Sequence, residues 1–315
     1  MITKDKIFEI LYNANDFVSG ESLAKELNIT RIAVNKHIKT LQANGIDIIS
    51  SRKGYKYINS DTLTKETLKN KLLEKNIDLD IYIESVDSTN NSAKTIISNS
   101  PNCKNFLFIA PKQNKGRGRL DRVFVSNQGG VYMTLCYKAN NLPITESLNI
   151  VLLTGLCVAR VLERYTSNVT IKWPNDIFVN NKKISGILLE SIISEYLVDK
   201  LILGIGINVN NEIPNELLDI ATNLKSLGVN ITREEIIVEV VSMLIKELEN
   251  FEKNGFDSYK NEYISKSRTI NTNVNIINGS KNINGIAKGL SSEGYLLVQT
   301  NEGIEKVIVG DVENK

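Results

Sequence analysis

The chain has 315 residues, 42% of them hydrophobic, and a formal net charge of +2. This length predicts two or three domains, and the near-neutral charge excludes a protein that binds nucleic acid over its whole surface. The three cysteines fit neither a zinc-site spacing nor a disulfide framework. The N-terminal run MITKDKIFEILYNAND is too charged for a signal peptide, and no stretch approaches 18 apolar residues, so we expect a cytoplasmic protein without a membrane span.

Residues 1 to 62 show the pattern of a winged helix-turn-helix domain. The amphipathic segments DKIFEILYNAN and SGESLAKELNI predict two helices, and Thr30 is the expected N-cap of a third. In that third helix, apolar residues recur at i, i+4 and i+7 from Val34 to Leu41, and Gly45 is expected to end it. The segment IDIISSRKGYKYI then predicts two short strands around a basic wing.

The same domain has a local excess of basic side chains. Between residues 30 and 57 there are six Lys or Arg against one acid, Asp47. Such an excess on one helix and a wing is typical of a surface that faces DNA phosphates, although a helical interaction domain with a solvated polar face is the alternative. Asparagine can also recognise adenine in the major groove. The predicted DNA-contacting residues are Arg31, Asn35, Lys36, Lys39, Arg52 and Lys53.

Three further segments follow along the chain. Residues 63 to 80 predict a helical linker, and residues 81 to 270 mix strand-like and helical runs in one α/β domain. Within it, VTIKWPNDIFVNNKKISGILLESI predicts a strand, a break at Pro174 and a hairpin that turns at Asn180-Asn181, and YLVDKLILGIGINVN predicts a strand deep in a sheet. Residues 271 to 315 predict four short strands in a small β-barrel or sandwich.

One basic loop in the α/β domain is unusual. The stretch KQNKGRGRLDR, residues 112 to 122, has five basic side chains and two glycines in eleven positions. Glycine lets the backbone approach a ligand closely, and arginine is a planar donor suited to phosphate and carboxylate. We therefore expect a lid that folds over an anion; the alternative is a solvated surface loop.

Several short motifs share one order along the chain. They are STN at 88 to 90, KGRGRLDR at 115 to 122, KWPNDIFVNNKKISGILLE at 172 to 190 and GIGINVN at 204 to 210, behind the helix-turn-helix. Together they resemble the bifunctional biotin protein ligases that are also biotin operon repressors, and the resemblance covers essentially the whole chain. It implies an α+β protein: an N-terminal winged helix-turn-helix, a central mixed α/β ligase domain and a small C-terminal SH3-like β-barrel.

The resemblance implies a reaction in two steps. Biotin and ATP, with Mg²⁺, form biotinyl-5′-adenylate and pyrophosphate, and biotin then passes to a lysine of the biotin carboxyl carrier domain of acetyl-CoA carboxylase. The adenylate-bound homodimer binds operator DNA and represses biotin synthesis or uptake genes. Two anions must meet in this chemistry, so cationic donors are needed at the reacting centre, and a closing loop would shield the mixed anhydride from water.

The resemblance also implies roles for individual residues. Catalysis falls to Lys183, Arg119 and Arg117, and Mg²⁺ is expected near Asp176. ATP binding is implied for Arg119, Arg122, Asn175, Asp176 and Asn208. Biotin binding is implied for Ser88, Thr89, Asn90, Gln113, Arg117, Gly118, Arg119, Lys183 and Gly186. From the residues alone, Ser88 could merely cap a helix and Lys183 could be a surface lysine in a hairpin.

One departure from the family pattern lies in the loop. The family sequence Gly-Arg-Gly-Arg-Arg-Gly-Arg has Leu120 and Asp121 here in place of its third arginine and third glycine. Catalysis is expected to be retained, and the coupling of adenylate binding to dimerisation is expected to be weaker. Two other functions fit parts of the pattern: a biotin-sensing DNA-binding regulator with little transferase activity, and a lipoate-type ligase on a related fold. Lys183 and Arg119 disfavour the first, and the helix-turn-helix and Gly-Arg-Gly-Arg run disfavour the second.

Overall fold

The computed structural model describes residues 3–43, 46–58, 61, 63–278 and 281–314. Gly45, expected to end the third helix, lies outside these residues. Part of the Asn-Gly-Ser turn expected at 278 to 280 lies outside them too. Within the described residues the chain forms a small N-terminal domain, a central sheet covered by helices, and a C-terminal sheet.

The N-terminal domain has the predicted winged helix-turn-helix elements. They are α1 (Thr3–Asn13), α2 (Gly20–Glu26), α3 (Arg31–Ala43), β1 (Ile48–Ser51) and β2 (Gly54–Tyr57). The two strands pair antiparallel to form the wing, and the apolar faces of the three helices meet in one core.

Local sequence explains where these helices begin and which face they bury. The Thr30 hydroxyl accepts from the N–H of Ala33 at 3.1 Å, so the predicted cap of α3 is confirmed. Val34, Ile38 and Leu41 are each at most 1% exposed, as their spacing predicts. The opposite face of α3, which has the basic residues, is therefore left toward solvent.

The predicted connector contains a helix, α4 (Lys65–Leu73), which packs on the ligase domain. Leu68 and Leu72 are buried in the main core, and the Lys71 ammonium pairs with Glu234 in the first turn of a later helix. Asp61, just before α4, accepts from the backbone N–H of Arg233 at 2.7 Å. This segment is therefore packed against the ligase domain, and the linker limits of 63 and 80 stay a prediction.

The central domain is built on a seven-stranded mixed sheet in the order β3-β4-β5-β9-β8-β7-β6. Only the β3–β4 pair is parallel among these described strands. The hairpin between β7 and β8 turns at Asn180 and Asn181, both with positive φ, as predicted. The strands are β3 (Asp80–Ile83), β4 (Phe106–Ala110), β5 (Val131–Pro143), β6 (Val169–Lys172), β7 (Asp176–Val179), β8 (Lys182–Ser194) and β9 (Leu197–Ile207).

Helices cover this sheet and complete its core. The run Ile144–Leu162 is long and apolar enough to span a membrane, but 67% of its most apolar stretch is buried inside the protein. Twelve of the sixteen residues in its helical part are buried, and the helix packs against the sheet and α7, which identifies it as a core helix. The helices are α5 (Thr89–Asn99), α6 (Ser147–Leu162), α7 (Arg233–Asn254) and α8 (Asp257–Lys266).

The C-terminal segment forms a five-stranded antiparallel sheet, one strand more than the sequence predicted. The strand order is β13-β12-β11-β10-β14, and the closure of this sheet into an SH3-like barrel stays a prediction. The extra strand, β14, is short and begins four residues after β13 ends, so the sequence analysis counted the two strands as one. The strands are β10 (Asn273–Asn278), β11 (Lys281–Leu290), β12 (Leu296–Thr300), β13 (Gly303–Val307) and β14 (Asp311–Asn314).

The C-terminal sheet contacts the break between β6 and β7. The Trp173 indole N–H donates to the carbonyl of Gly294 at 3.1 Å, and the Trp173 backbone N–H donates to the Thr269 hydroxyl at 3.1 Å. Trp173 is only 2% exposed. These bonds fix the start of the turn that leads into Asn175 and Asp176.

Candidate functional site

A cleft lies over the middle strands of the central sheet. The strand register places Asp176 of β7 opposite Gly186 of β8, Gly186 opposite Gly206 of β9, and Gly206 opposite Tyr132 of β5. The two glycines in the middle of this row leave room for other side chains, because a Cβ at Gly206 would lie 2.6 Å from the Phe124 ring and one at Gly186 would lie 3.3 Å from Lys183 Nζ. The free space in this partly open cleft is about 80 Å³, so the cleft is narrow.

All nine residues that the sequence predicted for biotin line this one cleft, and so do four of the five predicted for ATP. The exception is Asn208, which lies outside the described lining. Its side-chain oxygen accepts from the Asn211 amide at 3.0 Å, and its backbone N–H donates to the carbonyl of Ile184 at 2.9 Å. A role for Asn208 toward ATP stays a prediction.

Lys183 points its ammonium into the cleft. The Nζ atom lies 2.7 Å from Asp176 Oδ1 and 5.9 Å from the centroid of the Phe124 ring. The Lys183 backbone is held on both sides, because its N–H donates to the carbonyl of Ile220 at 2.8 Å and its carbonyl accepts from Thr222 at 2.9 Å. Lys183 does lie in the β7–β8 hairpin, as the alternative of a surface lysine requires, and its side chain is 33% exposed, so its catalytic role stays a prediction.

The basic loop lies over the cleft and contacts its far wall. The N–H of Phe124 donates to the carbonyl of Gly116 at 2.9 Å, and the N–H of Gly118 donates to the carbonyl of Arg122 at 2.7 Å, so the loop doubles back on itself. A Cβ at Gly116 would lie 2.3 Å from the Phe124 carbonyl oxygen, which excludes any side chain there. The Arg119 guanidinium donates to Asn175 Oδ1 at 3.2 Å and joins the loop to the opposite wall.

The other end of the cleft is built on the start of α5. Gln113 Oε1 accepts from the N–H of Thr89 at 2.8 Å and from its hydroxyl at 3.2 Å, while Gln113 Nε2 donates to the Ser126 hydroxyl at 2.9 Å. Ser88 occupies the N-cap position without a side-chain cap bond to any described residue. Gln113 therefore caps α5, which was the alternative role that the sequence analysis gave to Ser88. Ser88 itself lines the cleft.

A polar network behind this end was not predicted from the sequence. Asn90 Nδ2 donates to Glu190 Oε2 at 2.9 Å, and Asn90 Oδ1 accepts from the Thr134 hydroxyl at 2.7 Å. Lys94 also binds Glu190, at 2.8 Å. Partial burial opposes ionisation of Glu190, but the hydrogen bonds from Lys94 and Asn90 outweigh it, and its pKa lies below the ordinary value.

Gly204 was also missed, although it lies inside a quoted motif. A Cβ there would lie 2.4 Å from Asn90 Oδ1, so only glycine leaves room for this amide. Two signals in the sequence could have found the network. One is a single acid inside the apolar run of β8, and the other is the pair of glycines two residues apart in β9, which share one face of the strand.

A second surface lies on the N-terminal domain, at the exposed face of α3. An open groove there includes the predicted Arg31, Asn35, Lys36 and Lys39, together with Ile32 and Tyr55, which the sequence did not single out. The other two predicted residues, Arg52 and Lys53, are exposed at the turn of the wing. The basic helix face and the wing therefore belong to one domain surface, away from the cleft in the ligase domain.

Comparisons with known proteins match three separate parts of the chain to three family models. Residues 82–208 match the Biotin/lipoate A/B protein ligase family, residues 3–56 match an HTH domain, and residues 269–313 match the Biotin protein ligase C terminal domain. A protein ligase domain behind a helix-turn-helix is thus the class that the fold and the cleft define.

Relatives of full length narrow this class. The chain is 35% identical to the bifunctional ligase/repressor BirA of Bacillus subtilis (strain 168), over 99% of this chain and 98% of the relative. It is 29% identical to the protein of the same name from Escherichia coli (strain K12), over 97% and 94%. The solved biotin protein ligase from Aquifex aeolicus in complex with biotin and ATP has a TM-score of 0.64 and 33% identity, over 75% of this chain and 98% of that one. The chain belongs to the family of bifunctional biotin ligase/repressors.

Proposed function

We propose that this protein joins biotin to ATP, transfers biotin from the resulting biotinyl-5′-adenylate to a lysine of a carrier domain, and represses genes through its helix-turn-helix. One observation carries the proposal. A single cleft brings together the polar end at Ser88 and Gln113, the ammonium of Lys183, and the arginines of the basic loop. That arrangement suits a ligand with an uncharged polar head, a carboxylate and a phosphate.

The first step needs two anions to approach each other. A carboxylate oxygen of biotin attacks the α-phosphorus of ATP, a new O–P bond forms, and the bond to the β-phosphate oxygen breaks so that pyrophosphate leaves. Lys183, Arg117 and Arg119 offset the repulsion between carboxylate and phosphate and stabilise the charge that develops in the transition state. The Lys183 backbone is fixed by hydrogen bonds with Ile220 and Thr222, and its ammonium already lies in the cleft beside Asp176.

The second step transfers the acyl group. The neutral ε-amine of the carrier lysine attacks the acyl carbon, the acyl–oxygen bond of the adenylate breaks, AMP leaves, and the amine gives up a proton. Until the carrier arrives, the mixed anhydride has to be kept from water. The contact from Arg119 to Asn175 supports a lid role for the loop, since it joins the loop to the wall across the cleft.

Mg²⁺ is expected with ATP, and the residues of the cleft fit only a site that ATP phosphates and water complete. Among the described residues no cluster of three or more His, Cys, Asp or Glu is present that could hold a metal. Asp176 is the carboxylate in the cleft lining. Mg²⁺ commonly binds through one carboxylate, substrate phosphates and water, so Asp176 would hold it together with ATP, where the ion would offset phosphate charge.

We further propose the biotin carboxyl carrier domain of acetyl-CoA carboxylase as the acceptor, operator DNA as the second partner, and a homodimer as the DNA-bound form. A protein with these partners works in the cytoplasm. The basic face of α3 and the wing support DNA binding, because phosphate contacts need clustered Lys and Arg. A dimer is proposed because symmetric operators offer two half-sites.

The ligase proposal is tested by incubating the full chain with ATP, Mg²⁺, biotin and a carrier domain. Intact mass spectrometry of the carrier should show one added biotinyl group. When lipoate replaces biotin, the carrier should stay unmodified. Adenylate formation without any carrier modification would instead fit a biotin-sensing regulator. Modification by lipoate and not by biotin would contradict the choice of substrate.

A further inference from the structure

The recognition helix α3 has an amide that is held by the wing. Asn35 Nδ2 donates to the phenol oxygen of Tyr55 at 3.3 Å. Tyr55 lies in β2 and is itself fixed, because its backbone N–H donates to the carbonyl of Val18 at 2.9 Å and its carbonyl accepts from Val18 at 2.8 Å. The Asn35 side chain is thus tied to the wing and to the segment before α2, although it is exposed to solvent.

This hydrogen bond leaves part of the Asn35 amide available to contact a DNA base. An asparagine side chain has two N–H donors and one acceptor oxygen, and adenine shows an acceptor, N7, beside a donor, N6–H, in the major groove. With one Nδ2 hydrogen on Tyr55, the other hydrogen and Oδ1 remain for a bidentate contact. Holding the side chain in one position before binding also reduces the entropy lost when the complex forms.

Ile32 is a second unusual residue on the same face. It is 84% exposed, whereas the apolar residues of the buried stripe on α3 are at most 1% exposed. Positions 32 and 35 are neighbours on a helix surface because they are three residues apart. An isoleucine surrounded by Arg31 and Lys36 adds nothing to a phosphate contact, but its methyl groups suit the C5-methyl of thymine.

From these contacts we infer that Asn35 and Ile32 recognise an adenine and a nearby thymine in the major groove, and that Tyr55 is the positioning residue for Asn35. The inference rests on the proposed DNA-binding function and adds its sequence specificity. The basic residues around the pair supply phosphate contacts, which position the domain but carry no base information.

The inference is tested by selecting duplexes from a random library with the full chain in the presence of biotin, ATP and Mg²⁺. Parallel selections use the variants Tyr55→Phe, Asn35→Ala, Ile32→Ala and Lys53→Ala. Tyr55→Phe removes one oxygen and keeps the ring, and thermal unfolding of each variant checks that the domain is folded. The wild-type half-site should contain an adenine that both Asn35→Ala and Tyr55→Phe no longer select. Ile32→Ala should lose a thymine instead, and Lys53→Ala should keep both preferences while binding more weakly.

Base analogues in the selected duplex give a second readout. Replacing the adenine by 7-deazaadenine removes N7 and should weaken wild-type binding by about tenfold. The same change should have little further effect on Tyr55→Phe, and uracil for thymine should have little further effect on Ile32→Ala. A purely structural role for Tyr55 would lower stability or salt-dependent binding but would leave the adenine preference intact.

The outcomes separate two kinds of failure. If wild type selects no duplex, the DNA-binding proposal fails and the inference fails with it. If wild type selects a half-site but Tyr55→Phe and Ile32→Ala select the same bases as wild type, DNA binding stands and the inference is wrong.

Discussion

Lys183 Nζ lies 2.7 Å from Asp176 Oδ1, across the β7–β8 pair and inside the cleft. A break in the strand register between Ile177 and Phe178 lies beside this pair. We propose that Asp176 holds the ammonium at the place where the biotin carboxylate and the α-phosphate of ATP meet. An entering anion would compete with Asp176 for the Lys183 ammonium. The ion pair therefore positions the lysine and can be replaced when the substrate binds.

The first prediction concerns Lys183→Ala. Removing the ammonium should slow adenylate formation by about 10²- to 10³-fold, the usual effect of losing one donor at a developing charge. Biotin-dependent exchange of pyrophosphate into ATP measures this step. Lys182→Ala is the matched control, because Lys182 is the preceding residue of β8 and donates to the Leu218 carbonyl. Exchange at the wild-type rate in Lys183→Ala would contradict the assignment.

The second prediction concerns retention of the adenylate. Arg119→Gly removes the hydrogen bond to Asn175, so the loop should hold biotinyl-adenylate less firmly. Escaped mixed anhydride should then acylate lysines of bystander proteins, detected by streptavidin blotting with serum albumin in the reaction. Lys115→Gly is the control within the loop, because Lys115 pairs with exposed Asp87. Strict labelling of the carrier by Arg119→Gly would show that Arg119 does not retain the intermediate.

The third prediction concerns Glu190 and pH. Its pKa is lowered in the folded protein from the ordinary 4.5, so its ionised form stabilises the fold above that pH and the contribution is lost as the pH falls through the lowered pKa. Wild type should exceed Glu190→Gln in unfolding free energy by up to about 1 kcal/mol at pH 7, since the group is partly exposed. The difference should shrink toward pH 3 in urea unfolding.

The same variant should affect biotin binding, because Glu190 holds the Asn90 amide at the end of the cleft. We expect a higher KM for biotin with a smaller change in kcat. Glu195→Gln, at the exposed turn between β8 and β9, should change neither quantity. A difference in stability that does not depend on pH would contradict the role given to the Glu190 charge.

Short-range patterns in the sequence predicted most of the elements. The spacing of Val34, Ile38 and Leu41 predicts the buried side of α3, and Asn180-Asn181 predicts the hairpin turn, because both depend on nearby residues. The charge and glycines of the Gly-Arg-Gly-Arg loop predicted a lid over an anion, whereas the role of Lys183 came only from the resemblance. Their shared position in one cleft appears only once the strands pair.

Long-range partners could not be predicted from local pattern. The bond from Asn90 to Glu190 spans 100 positions, and the bond from Trp173 to Gly294 spans 121. Gln113 as the cap of α5 is a further case, because a cap is normally sought within a few residues of the helix start. The ion pair between Lys71 of α4 and Glu234 of α7 likewise joins residues that are far apart in the chain.

The fourth prediction concerns the wing. Lys53 is exposed at its turn, so Lys53→Ala should weaken binding to all duplexes and lower the slope of log K against log salt by about 1. Fluorescence anisotropy over a salt series measures the slope. Lys69→Ala on α4 is the control, because Lys69 pairs with Asp78 away from the wing. An unchanged slope for Lys53→Ala would remove the wing from the DNA interface.

The last prediction links the cleft to self-association. Without a ligand the like charges of the basic loop repel one another, and an anionic adenylate would offset that repulsion and order the loop. Leu120, at the tip, is 60% exposed with a φ of 53°, and nearby Val123 is 79% exposed. An ordered loop would hold the adjacent Val123 on a fixed surface, which favours association with a second copy.

We therefore expect biotin with ATP to shift the chain toward dimers, and biotin alone or ATP alone to shift it less. The double variant Leu120→Arg with Asp121→Gly restores the family loop sequence, adds positive charge and removes a side chain from a glycine position. It should respond to the adenylate more strongly than wild type, because ligand binding then offsets more repulsion. Sedimentation equilibrium with and without both ligands measures the monomer–dimer constant. If that constant is the same with and without biotinyl-adenylate in both proteins, the loop does not couple ligand binding to dimerisation here, whatever the ligase activity.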